Sequence, residues 1–178
     1  MIFTETKLNG AFLIDLEPVK DQRGFFGRAW CRREFEEHGL VPNFVQANIS
    51  YNRKKGTLRG MHYQTEPFSE DKLVRCISGA IVDVIIDLRP DCSTYGEWFG
   101  VELTAKNHKA LYVPKEFAHG FLTTEDETEV FYMVSQLYTP NFEGGIRWDD
   151  PLFKINWPIP VSVVSQKDAA WPDYCLKG

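Results

Sequence analysis

The sequence predicts an all-β protein, a sandwich or barrel of jelly-roll type with a few short helices. Three observations carry that expectation: strand-like runs recur along the chain, most are bounded by Gly, Pro, Asn or Asp, and no helical crossovers join them. In order, the runs are Ala11–Leu16, Phe25–Trp30, Phe44–Ser50, Thr57–Gln64, Lys72–Ser78, Ala80–Leu88, Trp98–Thr104, Ala110–Val113 and Glu129–Leu137. Each is rich in β-branched or aromatic side chains, which suit the half-buried surface of a pleated sheet. One helix interrupts them, Arg32–His38, with Gly39 placed to close it. Lys72–Ser78 and Ala80–Leu88 read as neighbouring strands about Gly79. In the second, Ala80, Val82, Val84, Ile86 and Leu88 share one face, and Ile81, Asp83, Ile85 and Asp87 share the other. The Trp- and Pro-rich tail, Trp157–Asp173, reads as loops and short helical turns wrapped on the barrel.

A chain of 178 residues without repeats or linkers fits one domain, residues 1–178. Twenty Lys and Arg against 25 Asp and Glu give a net charge of −5 with no long run of either sign, which argues against nucleic acid as a partner. Met1–Gly10 lacks a basic stretch followed by an apolar one, and the most apolar run, Ala80–Leu88, is broken by Asp83 and Asp87, so neither a secretory signal nor a membrane span is expected. Cys31, Cys76, Cys92 and Cys175 form no C-x-x-C pair and read as reduced thiols of a cytoplasmic protein.

Two segments place a histidine beside glycine or proline in a β context, Gly56–Gln64 around His62 and Val113–Gly120 around His119. Their spacing resembles the paired histidine motifs of metal-binding cupins. Gln64, however, replaces the second histidine, and Lys72 stands where the acidic ligand would fall. An ammonium has three donors and no lone pair and repels a divalent cation, so no metal is expected. Imidazoles, a cation and tyrosine hydroxyls suit proton abstraction beside a carbonyl: a histidine can act as base near neutral pH, Lys72 can hold an enolate oxygen, and Tyr132 can return a proton. Alternation puts Tyr132, Val134, Gln136 and Tyr138 on one face. It also puts Leu58, Gly60, His62 and Gln64 on one face and Arg59 on the other, so either Gly60 marks a bulge or Arg59 serves a different surface. Taken alone, Asp168 reads as a helix N-cap before Ala169 and Ala170, and Glu125–Glu127 with Glu129 reads as a solvated tip.

The segments Asp21–Phe26, Gln46–Asn48, Leu58–Gln64, Lys72–Arg75, Val113–Pro114 with Phe117–Phe121, and Gly145–Pro151 together resemble the nucleotide-sugar 3,5-epimerase family typified by dTDP-4-dehydrorhamnose 3,5-epimerase. The resemblance spans nearly the whole chain. It implies a cupin-like jelly-roll barrel, a homodimer that exchanges N-terminal strands, and no cofactor. The implied activity is epimerisation of a nucleotide-linked 4-keto-6-deoxy sugar at C3, C5 or both, dTDP-4-dehydro-6-deoxyglucose to dTDP-4-dehydrorhamnose being the leading case. A 4-keto group already acidifies the hydrogens at C3 and C5, so no hydride carrier is required. By the resemblance His62 is the base, oriented by Asp168 on its far ring nitrogen, and Tyr132 is the proton donor. Lys72 and His119 hold charge at the C4 oxygen, and Tyr138 stacks near the nucleotide. Arg23, Gln46, Asn48, Arg59, Glu143 and Lys167 contact the nucleotide, diphosphate or sugar; a guanidinium suits a diphosphate because its planar fork binds two oxygens at once.

Two positions depart from the family pattern, Arg28 where a glutamate is common and Ala47 within Gln46-Ala47-Asn48. They leave the base open among thymine, cytosine, uracil and guanine. Rival readings are a single-carbon epimerase, a non-catalytic sugar-nucleotide binding module, which need not keep His62 with Asp168, and a metal-dependent cupin oxygenase, against which Gln64 and Lys72 stand.

Overall fold

The computed structural model describes residues 1–176. The strands are β1 (Ile2–Glu5), β2 (Phe12–Asp15), β3 (Val19–Asp21), β4 (Gly24–Phe26), β5 (Gln46–Asn52), β6 (Leu58–Gln64), β7 (Lys72–Ser78), β8 (Ala80–Asp87), β9 (Trp98–Thr104), β10 (Ala110–Val113), β11 (Phe117–Thr123), β12 (Thr128–Val134) and β13 (Glu143–Gly145). Two short helices, α1 (Arg32–Glu37) and α2 (Gln166–Ala169), accompany them. One antiparallel sheet runs β1-β2-β10-β7-β12-β5 and a second runs β13-β6-β11-β8-β9, while β3 and β4 form a separate hairpin. This is the jelly roll that the strand pattern predicts, in the cupin-like form that the resemblance implies.

The sheets face each other across a core of Val74, Cys76, Leu111 and Val130 from the first and Ile81, Ile85, Leu103, Phe117 and Phe121 from the second. Strand β8 is apolar on both faces because both are covered. Its even positions Val84 and Ile86 pack outward on Met61, Ile146 and Phe153, with Trp157 and Tyr174 of the tail closing over them. The outer face of the first sheet is covered in part by Phe35 of α1, which packs with Ile14, Leu73 and Tyr112. Towards one end of the sandwich the inward positions turn from apolar to polar: Lys72 on β7, Tyr132 on β12, His62 on β6 and His119 on β11. The site lies there.

Several expectations are corrected. Strands β7 and β8 are not neighbours; Gly79, at φ +73°, carries the chain from one sheet to the other, and the inward faces of the two strands meet across the core. The run Phe25–Trp30 shortens to Gly24–Phe26, because only those residues have a partner, in β3. Strands β1, β3, β11 and β13 bring the number beyond the nine runs read from the sequence. Asp168 is not a helix N-cap. Ser165 is, its hydroxyl accepting from Asp168 N at 3.0 Å, which leaves the Asp168 carboxylate free to reach inward. The helix Arg32–Glu37 does end as expected, with Gly39 at φ +70°. The four cysteines are free, and no helix among the described residues is long and apolar enough to cross a membrane.

Candidate active site

The site begins with an irregularity in β6. His119 stands opposite His62 and Phe121 opposite Arg59, so two steps along β11 span three along β6. Gly60 absorbs the extra residue at φ +127°, and a Cβ there would lie 2.5 Å from Gly120 Cα and 2.8 Å from His119 O. Glycine is required both for that backbone conformation and for the close crossing of the strands. Of the two alternatives left by the alternation, the bulge is the one found. It brings Arg59 and His62 to the same cleft.

That cleft has two lobes, of about 650 and about 400 Å³, which meet at His62, Lys72 and Tyr132. Arg59, His119, Lys167 and Asp168 line the larger lobe, and Gln46, Asn48, Gln64, Glu70, Tyr138 and Glu143 the smaller. Sheet register explains the grouping. Asn48 faces Tyr132 across β5 and β12, Val134 faces Lys72 across β12 and β7, and His62 faces His119 across β6 and β11.

Half-buried His62 is bonded through Nε2 to Asp168 Oδ1 at 2.7 Å, and the second carboxylate oxygen accepts from Gly60 N at 3.3 Å. Burial pushes the Asp168 carboxyl up, but the hydrogen bond and charge of His62 together with the Gly60 N–H outweigh it and hold the group below its ordinary value. Nδ1 is the remaining polar atom of the His62 ring. A second pair repeats the motif: His119 Nε2 lies 2.7 Å from Asp83 Oδ1, and Asp83 is fully buried. Lys72 is buried, 3.1 Å from Glu70 Oε1 and 3.4 Å from the His62 carbonyl oxygen. Burial raises the Tyr132 phenol, and the charge of Glu70 raises it further while Arg59 lowers it. Across the smaller lobe Glu143 accepts from Lys167 Nζ at 2.5 Å and from Tyr138 Oη at 2.8 Å. Burial alone would raise Glu143; these two donors hold it below its ordinary value.

Gln64 borders the smaller lobe, but its amide is engaged by the surrounding protein. Its amide nitrogen donates to Glu70 Oε2 at 2.9 Å and to Phe68 O at 3.0 Å, and its oxygen accepts from Thr139 N at 2.6 Å. Among the described residues, no group of three or more His, Cys, Asp or Glu is placed to hold a metal ion. The arrangement offers an imidazole backed by a carboxylate, two further cationic or imidazole donors and a phenol, all opening on one space. That set can take a proton from carbon, hold the resulting oxyanion and return a proton.

Of the residues picked out in the sequence, His62, Asp168, Tyr132, Lys72, Gln46, Asn48, Arg59, His119, Tyr138, Glu143 and Lys167 line this cleft. Arg23 does not. It sits at the turn of the β3–β4 hairpin with its side chain 86% exposed, paired with Asp21, and the hairpin joins neither sheet. The two departures also lie elsewhere: Arg28 pairs with Glu34 at 2.8 Å, and Ala47 faces outward between the inward-facing Gln46 and Asn48. The sequence pattern assigns neither Asp83 nor Glu70 to the site. A carboxylate between Ile81 and Ile85 on one face of an apolar strand was the available signal for Asp83.

Two apposed antiparallel sheets with acid–base side chains gathered at one end define a class, the cupin-like jelly rolls. The sequence profile of dTDP-4-dehydrorhamnose 3,5-epimerase matches residues 5–175. A dTDP-4-dehydrorhamnose 3,5-epimerase of Methanothermobacter thermautotrophicus is 44% identical over 172 residues, covering 95% of this chain and 92% of its own. The crystal structure of the enzyme of that name from Elizabethkingia anophelis superposes with a TM-score of 0.95 at 36% identity, over 98% of this chain and 96% of the other. The Legionella pneumophila dTDP-6-deoxy-D-glucose-3,5-epimerase, solved in complex with dTDP-4-keto-L-rhamnose, gives 0.89 at 35% identity, over 96% and 90%. The chain belongs to the dTDP-4-dehydrorhamnose 3,5-epimerase family.

Proposed function

We propose that this single-domain protein epimerises dTDP-4-dehydro-6-deoxyglucose to dTDP-4-dehydrorhamnose, at C3 and C5, in the cytoplasm. The observation that carries the reading is the His62–Asp168 pair at 2.7 Å, opening on the space shared with Lys72 and Tyr132. His62 takes the proton from the carbon next to the 4-keto group, and the C–H electron pair moves to the C4 oxygen. Asp168 fixes the ring orientation and stabilises the imidazolium that forms, as the orienting acid of a triad does. Lys72 and His119 donate to the C4 oxyanion. Tyr132 delivers a proton to the opposite face, the carbonyl reforms, and no electrons leave the substrate. Arg59 and Lys167 supply positive charge for the diphosphate, and Tyr138 a ring for the base.

The homodimer belongs to the same proposal. In this proposal the exchanged element is the β3–β4 hairpin, which joins neither sheet, whose Val19 and Phe26 are 71% and 74% exposed and whose Arg23 would reach the cleft of a second copy. The test of the chemistry is turnover in deuterated water followed by NMR. The parent protein is expected to place deuterium at C3 and C5, and His62→Asn to lose about 10²–10⁴ of the rate at both. A variant within a few fold of the parent would overturn the assignment of the base.

A further inference from the structure

A helix of four residues does not persist on its own, because nucleating one turn costs more than its few hydrogen bonds return. What places Asp168 is therefore whatever clamps the two ends of α2. The N-terminal clamp is polar: Leu58 N donates to Val163 O at 2.8 Å, Ser162 N and Val163 N donate to Gly56 O at 2.9 and 3.1 Å, and Ser165 caps the helix. The C-terminal clamp is a packing contact. Trp171, three residues beyond Asp168, lays its indole on Gly145 of β13. A Cβ at position 145 would lie 2.6 Å from Trp171 Cδ2 and nearer still to Cε2 and Nε1.

Gly145 has no positive φ that would demand a glycine, so what the position uses is the missing side chain. It is also the cross-strand partner of His62. One point on β13 therefore touches both the strand carrying the imidazole and the ring that follows its carboxylate. The indole nitrogen of Trp171 is buried with no hydrogen-bond partner. A buried N–H of this kind is normally paired, so the ring is seated here by shape and not by its polar edge.

The structure assigns Gly145 and Trp171 as positioning residues: the indole seated on the bare glycine sets the reach of α2 and so holds Asp168 on His62. The assignment rests on the reading of His62 and Asp168 as the proton-transfer pair. Gly145→Ala would push the indole off β13, and a displacement of about 1 Å in a reacting pair can cost on the order of 10²-fold in rate.

The test is a double-mutant cycle of Gly145→Ala with Asp168→Asn, with Trp171→Leu as an independent route to the same displacement, reading kcat, KM and melting temperature. Gly145→Ala and Trp171→Leu are each expected to lower kcat by about 10²-fold with KM little changed, and Gly145→Ala in the Asp168→Asn background to cost almost nothing more. Either single variant folding with kcat within about threefold of the parent would overturn the inference, as would losses that multiply in the double variant. Should Gly145→Ala fail to fold, the Trp171→Leu cycle decides alone. Full activity in Asp168→Asn itself would sink the underlying pair, a result distinguishable from either outcome of the cycle.

Discussion

Replacing Asp83 by asparagine separates stability from catalysis in a way the structure lets us work out. Asp83 is fully buried and accepts from His119 Nε2 at 2.7 Å, while its second oxygen has no partner. Asparagine keeps an oxygen for the His119 N–H but puts two amide hydrogens where the unpaired oxygen stood, a penalty of about 1–3 kcal/mol. Against this, the substitution removes a buried charge whose desolvation costs several kcal/mol. The two oppose each other, so net stability should move by no more than about 2 kcal/mol, or roughly 4–8 °C for a chain of this size. Catalysis has no such offset. In the proposed mechanism, His119 without the negative charge behind it would be a weaker donor to the C4 oxyanion, and loss of one such donor costs about 10²–10³ in kcat, or about 2.7–4 kcal/mol. Because Asp83 is shielded from the cleft by His119, the loss should appear in kcat and not in KM. Steady-state kinetics with a thermal melt of the same sample reads both. A kcat within about threefold of the parent, or a loss matched by the fraction unfolded at the assay temperature, would refute the reasoning.

Two further outcomes are expected. The Asp168 and Glu143 carboxyls are held below their ordinary values, burial opposing and their cationic partners prevailing. The native state therefore binds fewer protons than the unfolded chain at acid pH, so this stabilisation is complete above about pH 4–5 and is lost as the pH falls through the depressed values. Urea midpoints measured from pH 6 downward should fall less steeply for Asp168→Asn and Glu143→Gln, and an unchanged slope in both would contradict the assignment. In the hairpin, Phe26→Ser should shift sedimentation towards monomer and Arg23→Ala should raise KM without dissociating the dimer; a monomeric parent would end the proposal of exchange.

The bounds of strands β7, β9 and β10 are legible in the sequence, because turn residues punctuate each run on both sides. The sequence itself argues against the expected pairing of β7 with β8: a single residue, Gly79, separates them, and a hairpin turn needs about two to five. Strand β11 shows no alternation by which the sequence could mark it, because the whole segment is buried and carries Gly120 and His119 in its middle. The cleft was legible in unequal parts. The pattern of residues alone gave imidazoles, a lysine and tyrosines suited to proton transfer. That His62 and Asp168 meet across 106 residues came only from the resemblance, since no periodicity encodes a contact between a bulged strand and a tail helix. The exposed setting of Arg23 could not be read at all, because its hairpin makes no pairing with either sheet that a strand pattern could anticipate.

A chain with net charge −5 can still receive a diphosphate, and the reason lies in how the cations of the cleft are compensated. Lys72 is balanced by Glu70 and Lys167 by Glu143, while both histidines face carboxylates. Arg59 differs. Its Nε donates to Asn52 Oδ1 at 2.7 Å and its Nη2 to Tyr51 O at 3.3 Å, both neutral acceptors. These bonds fix the direction of the guanidinium without cancelling its charge, so Arg59 is the cation oriented in advance for an anionic ligand. A phosphate drawn to Arg59 would then compete with Glu143 for Lys167, releasing the carboxylate and with it the Tyr138 hydroxyl. In the proposed reaction Lys72, held by Glu70 beside His62, is the cation nearest the C4 oxygen as that atom becomes negative.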